Sequence, residues 1–123
     1  MEEQDVYAAI GEEGFRRLIA AFYHRVPADP VLGPMYQGRD LAAAEDRLRG
    51  FLIYRFGGPA TYIEQRGHPR LRMRHAPFAV NEAARESWLN LMTAALAETN
   101  LPAEPAAVLR TFFESTASFL LNR

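Results

Sequence analysis

Cysteine and lysine are both missing from this 123-residue sequence. Without a thiol there is no disulfide scaffold, no zinc ribbon and no cysteine nucleophile. Long apolar runs are missing as well. No window approaches the roughly 18 consecutive apolar residues of a membrane-spanning helix. The first residues, Met1-Glu2-Glu3-Gln4-Asp5, are acidic with no apolar run behind them. No signal peptide is therefore expected, and a bacterial-type cytoplasm is the default compartment. Neither charge dominates. The formal net charge is −1, and nothing global points to nucleic acid or to a membrane surface. Repeats, low-complexity tracts and linkers are absent, so residues 1–123 are expected to form one domain.

What is present is ordinary in amount and uneven in placement. Apolar residues make up 49% and charged residues 24% of the chain, the balance of a globular domain. Folding at this length buries roughly two-thirds of the chain's surface, enough for a core. Because lysine is missing, all 14 basic residues are arginine. Arg66, Arg70, Arg72 and Arg74 cluster with His68 and His75, and no acidic residue lies between Glu64 and Glu82.

Apolar residues recur at helical spacing, and no stretch alternates with period two. Phe15, Leu18, Ile19, Phe22, Tyr23 and Val26 predict an amphipathic helix from near Glu12 to Pro27. Asp29-Pro30 reads as a cap and first turn, so a short helix is expected over 30–35. Asp40 can cap the next helix, with the stripe Leu41, Ala44, Leu48, Phe51, Leu52 and Arg55, ended by Gly57-Gly58-Pro59. From Gly57 to about Arg70 the periodicity is weak, and a long irregular connection is expected. Leu71 to His75 predicts one helical turn, stopped by Pro77. Asn81 can cap a helix with the stripe Trp88, Leu91, Met92, Ala95 and Leu96. A last helix is expected from about Ala103 to Leu121, with a well-buried apolar face two residues wide, Val108, Phe112, Ser115 and Phe119 beside Leu109, Phe113, Thr116 and Leu120. The sum is an all-α chain of four substantial helices and several short ones.

Most catalytic chemistries find no support. Ser87, Ser115 and Ser118 fall in predicted helices, and none occupies a glycine-flanked elbow. No glycine-rich phosphate cradle is present. The adjacent carboxylates Glu2-Glu3, Glu12-Glu13 and Glu45-Asp46 read as solvated charges at helix starts. His24 lies off its apolar stripe. His68 precedes Pro69, and His75 ends the short turn before Ala76-Pro77-Phe78. None has a second histidine three or four residues away, which excludes a zinc site built on one helix.

The stretch Arg66-Gly67-His68-Pro69-Arg70-Leu71-Arg72-Met73-Arg74-His75-Ala76-Pro77-Phe78 resembles the proximal segment of the group II truncated haemoglobins. Trp88 falls where that group carries a tryptophan on the next helix. Phe22-Tyr23 resembles its distal tyrosine site. Asp29-Pro30-Val31-Leu32 with Met35-Tyr36 matches its corner helix, and Asp40 to Leu48 its distal helix. The resemblance runs from about Val6 to Leu121. Ile53-Tyr54-Arg55-Phe56 departs from it: the family's run ends in Tyr-Trp, Phe56 keeps an aromatic there, and Tyr54 and Arg55 are new in kind. Gly11-Glu12 replaces a common Gly-Gly pair.

The resemblance implies a truncated globin fold, a two-over-two helical sandwich around a haem b. It implies His75 as the ligand of a five-coordinate iron, held by one neutral imidazole nitrogen. The other ring nitrogen then needs an acceptor, and a backbone carbonyl is expected. Oxygen in such a site carries partial negative charge, so nearby donors strengthen its binding. Tyr23, Trp88 and the third distal position, Tyr36, are the expected donors. Ala44 stands where common globins place a distal histidine, and it offers space but no donor. Leu48, Phe51, Leu52, Phe78, Leu91, Met92, Val108 and Phe112 are candidate apolar walls of the pocket.

Two readings compete for the arginine patch. Nucleic-acid phosphates are one, but no aromatic interleaves between Arg66 and His75. Haem propionates are the other, because guanidinium groups pair with carboxylates in planar forks. Arg72 is the first candidate, then Arg66 and His68. The expected function is binding of oxygen and other diatomics such as NO and CO, in an oxygen-transport or related role. The alternative is a redox enzyme, an NO dioxygenase or peroxidase-like activity, which would need an external reductase. A monomer and a homodimer fit the sequence equally well.

Overall fold

The computed structural model describes residues 1–123 and contains seven α-helices and no strand. They are α1 (Val6–Arg25), α2 (Leu32–Tyr36), α3 (Leu41–Arg55), α4 (Thr61–Arg66), α5 (Leu71–His75), α6 (Glu82–Thr99) and α7 (Ala103–Phe119). Short 3-10 turns precede and follow α1, at Glu3–Asp5 and Val26–Ala28. The long helices form two pairs. α1 packs on α3, α7 packs on α6, and α1 joins the pairs through its contact with α6.

Residues of the α1 stripe hold the pairs together. Phe15, Leu18, Ile19, Phe22 and Val26 are fully buried. Each such side chain contributes about 1.5–3 kcal/mol when removed from water. Leu52 from α3, Phe56 just past its end, Met92 from α6 and Leu109 from α7 complete the centre. Phe56 packs edge-on against Phe112 at 5.0 Å between ring centroids and tilts against Phe15 at 6.2 Å. An aromatic is therefore kept at position 56 for packing.

Capping sets the helix boundaries. Asp40 Oδ1 accepts from the Ala43 amide at 3.1 Å, and Asn81 Oδ1 accepts from the Ala84 amide at 2.9 Å. Both are side-chain caps on otherwise orphaned helix N–H groups. Asp29 Oδ2 accepts from Val31 and Leu32 at the start of α2. At the end of α3, Gly57 adopts φ +98, and a Cβ there would overlap the Gln4 carbonyl oxygen. Only glycine allows the chain to pass so close to the N-terminal turn.

Gly11 (φ 69, ψ 177) interrupts α1, so its main run starts near Glu12 as the stripe predicts, and the helical turn over residues 6–10 is an addition in front of it. Two sequence expectations need correction. The connection after Gly57 is not wholly irregular, because α4 forms there with Tyr62 buried. On α7 only the stripe Pro105, Leu109, Phe113 and Ala117 is buried. Ser115 and Phe119 are exposed. No helix is long and apolar enough to cross a membrane.

Candidate functional site

A cavity of about 320 Å³ opens between α3, α5, α6 and α7. This volume lies within the roughly 300–1,000 Å³ typical of cofactor pockets. Helical periodicity explains which residues reach it. On α3 the wall is Ala44, Arg47, Leu48 and Phe51, spaced i, i+3, i+4 and i+7. On α5 it is Leu71, Arg74 and His75, spaced i, i+3 and i+4. α6 adds Ala84, Arg85 and Trp88, and α7 adds Phe112 and Phe113. Tyr23 from α1 and Tyr36 from α2 close one side.

His75 is held by its own helix. Nδ1 lies 2.7 Å from the Leu71 carbonyl oxygen. A carbonyl can only accept, so Nδ1 carries the proton, and in a neutral ring Nε2 keeps its lone pair. The Phe78 ring lies 6.4 Å from the imidazole, between centroids. Arg39 covers Phe78 in turn, with its guanidinium carbon 4.5 Å from the ring centroid.

The segment after His75 is clamped by the chain's end. Asn122 Nδ2 donates to the carbonyls of Phe78 (3.1 Å) and His75 (3.3 Å). Its Oδ1 accepts from the Val80 amide at 3.0 Å, and its own amide donates to the Val80 carbonyl at 2.9 Å. Sequence reasoning passed over Asn122. Its only local mark is an amide side chain beyond the end of a helix.

The cavity wall also carries hydroxyl and indole groups. Tyr23 and Tyr36 pack edge-on at 6.0 Å between centroids. Burial, with the neighbouring Tyr36 adding to it, pushes the Tyr23 phenol far above its ordinary range. Burial also raises the Tyr36 phenol, against the opposing pull of Tyr23 and of the Arg47 and Arg39 guanidinium groups. Both rings therefore keep their hydroxyl protons at neutral pH. Trp88 is half-buried and wedged between Phe22 at 5.3 Å and Phe113 at 5.4 Å.

The cavity thus gathers Tyr23, Tyr36, Ala44, Leu48, Phe51, Leu52, His75, Phe78, Trp88 and Phe112 from the expected set. Leu91, Met92 and Val108 are not on its wall and pack into the core instead. The three expected propionate partners also lie outside it. Arg72 and His68 line a separate groove, and Arg66 points to Asp46 at 3.8 Å. Rotation along α5 is the reason: Arg72 and Arg74 lie about 200° apart around a helix of 3.6 residues per turn. The arginines on the cavity wall are Arg39, Arg47, Arg74 and Arg85. Arg74 donates to the Tyr62 hydroxyl at 3.1 Å and to the Arg66 and His68 carbonyls. Arg85 donates to Ser118 Oγ at 2.9 Å.

This donor set suits a planar, metal-bearing cofactor. No three His, Asp or Glu side chains come together to hold a metal ion. A metal taken by His75 must therefore bring its other donors with it, as a porphyrin does. The walls are apolar, one imidazole is oriented by a carbonyl, and several arginines could meet carboxylates.

Comparison with known proteins agrees. The family model described as bacterial-like globin matches residues 5–122. The group 2 truncated hemoglobin YjbI of Bacillus subtilis is 37% identical over 117 residues, covering 95% of this chain and 88% of that protein. Two-on-two hemoglobin-3 of Arabidopsis thaliana is 31% identical over 124 residues, covering 98% of this chain and 71% of that protein. Among solved structures, a thermostable hemoglobin from Thermobifida fusca superposes with a TM-score of 0.90 at 48% identity, covering 95% of this chain and 96% of that one. The truncated oxygen-avid haemoglobin from Bacillus subtilis superposes with a TM-score of 0.90 at 37% identity, covering 95% of this chain and 98% of that one.

Proposed function

The chain belongs to the bacterial-like globin family, and on that premise we propose that it holds a haem b on His75 and binds oxygen and other diatomic molecules beside a five-coordinate iron. When bound, the haem supplies an iron with one coordination position open to a small ligand. The chain's own residues supply the rest.

The observation that carries this reading is the 2.7 Å contact between His75 Nδ1 and the Leu71 carbonyl. It fixes the tautomer and aims the ring. Arg47 and Arg74 are the residues for the propionates, because both face the cavity and a guanidinium fork matches a carboxylate. Arg72, Arg66 and His68 do not line the cavity, and we do not propose them for that role.

Tyr23, Tyr36 and Trp88 are the donors for a diatomic ligand. Their hydrogens are available at neutral pH, and the surrounding aromatic wall excludes water, which strengthens each polar contact. Ala44, on the same wall, takes up little room and offers no donor. Several donors around one ligand slow its release. That suits sensing, scavenging or redox turnover with an external reductant better than delivery.

The deciding experiment is an absorption spectrum of the purified protein loaded with haem. A Soret band that moves when oxygen or carbon monoxide is added is the expected result. A preparation that takes up no haem would overturn the reading.

A further inference from the structure

A second hollow lies on the other side of the α5 turn. It is an open groove of about 730 Å³ between the 68–73 segment, the end of α3 and α7. Phe51, Leu71, Phe112 and Thr116 form a wall shared with the cavity. The groove therefore backs onto the candidate site but is separate from it.

Two features of its lining bear on what it could bind. The first is apolar exposure. Met73 and Phe119 are 59% and 55% exposed, and apart from Met1 they are the exposed large apolar side chains of the molecule. Both line this groove. The second is unneutralised charge. Arg55 is paired with Glu3 at 3.0 Å, but Arg70 and Arg72 take part in none of the molecule's ion pairs. Arg72 instead lies over the Phe119 ring, 5.2 Å from its centroid. The groove thus sets two free guanidinium groups beside an aromatic and aliphatic floor.

We propose that this groove is a binding site for an amphipathic monocarboxylate of the free fatty acid class. The carboxylate is held by Arg70 and Arg72, and the alkyl chain lies over Phe119, Met73 and Phe112. Guanidinium groups pair with carboxylates through planar, charge-assisted hydrogen bonds. The apolar floor rewards a tail, which a simple anion such as phosphate does not have. A second copy of this chain fits poorly, because a two-fold contact would bring Arg70 and Arg72 against their own kind. A lipid bilayer fits poorly too, since the face is concave and its apolar residues line a hollow.

The test is isothermal titration of the haem-loaded protein with sodium dodecanoate below its micelle concentration. Saturable binding of one dodecanoate per chain is expected, with the Soret band retained throughout. The paired substitution Arg70→Gln and Arg72→Gln should weaken it by about tenfold or more, the effect of losing a hydrogen bond to a charged group. Phe119→Ser should weaken it as well, and dodecanol should bind far less than dodecanoate. Arg16→Gln, an arginine outside the groove, should leave it unchanged. All these residues are exposed, so the variants should fold. The assignment is overturned by any of four results: no saturable binding, equal binding to the paired arginine variant, release of haem on binding, or association seen only with lipid vesicles. Haem uptake is read separately, so its failure and the failure of the groove assignment are distinguishable.

Discussion

His75 and Leu71 face each other across one turn of α5, with the imidazole Nδ1 2.7 Å from the carbonyl oxygen. The acceptor is the helix's own backbone, so no other element is needed to orient the ring. That economy lets a helix of five residues present the proposed ligand. His75→Gly should abolish stable haem retention. The measurement is the Soret band after gel filtration, and added free imidazole should restore part of it by filling the space left by the ring.

Trp88 has a donor and no acceptor. Its position on the cavity wall is fixed by Phe22 and Phe113, so Trp88→Phe should keep the packing and lose the N–H. A hydrogen bond to a charged group contributes about 1.5–3 kcal/mol. Oxygen dissociation should therefore speed up roughly tenfold to a hundredfold, read by stopped-flow against a ligand trap.

The Tyr23 and Tyr36 phenols are raised above their ordinary values, each chiefly by burial. A group with a raised folded-state pKa holds its proton more tightly in the native chain. Its contribution to stability is complete below the unfolded value of about 10 and is lost as the pH climbs through the folded value. The urea midpoint should therefore fall above pH about 10. Tyr23→Phe should flatten that alkaline limb, because phenylalanine has no proton to lose.

Arg74 lies on the cavity face of α5 and Arg72 on its groove face. Arg74→Gln and Arg47→Gln should each accelerate haem loss by about tenfold, the scale of one charge-assisted hydrogen bond. Arg72→Gln should leave it unchanged. Transfer of haem to an excess of a high-affinity acceptor protein measures all three.

Much of this architecture is legible in the sequence because its signals are local. Asp40 and Asn81 announce helix starts that their side chains then cap. The α1 stripe from Phe15 to Val26 is buried at every position. α4 is not legible, because only Tyr62 among its six residues is buried and one residue makes no stripe. The buried width of α7 is overestimated because Phe119, at its last residue, lies past the packed layer and faces the groove. The arginines are the instructive case. The family resemblance puts Arg72 first, but helical spacing from Leu71 through Arg74 to His75 places Arg74 on the cavity wall, and the same rule places Arg47 there with Ala44 and Leu48. Asn122 lies beyond any such rule, because its partners are more than forty residues away.

Asn122 makes the last prediction. One side chain bonds the carbonyls of His75 and Phe78 and the amide of Val80, so the chain's end fastens the segment that follows the candidate ligand. Asn122→Ala removes three hydrogen bonds and leaves the backbone contact of residue 122 with the Val80 carbonyl in place. The affected groups are exposed to water, so each bond contributes only about 0.5–1.5 kcal/mol. The fold should survive while the segment opens more often. Hydrogen exchange at the Val80 amide should rise about three- to tenfold, since it loses the Asn122 acceptor and keeps only the Phe78 carbonyl at 3.1 Å. Exchange at the buried α1 amides should not change. Haem loss should quicken only a few-fold, because the Leu71 carbonyl still holds the ring.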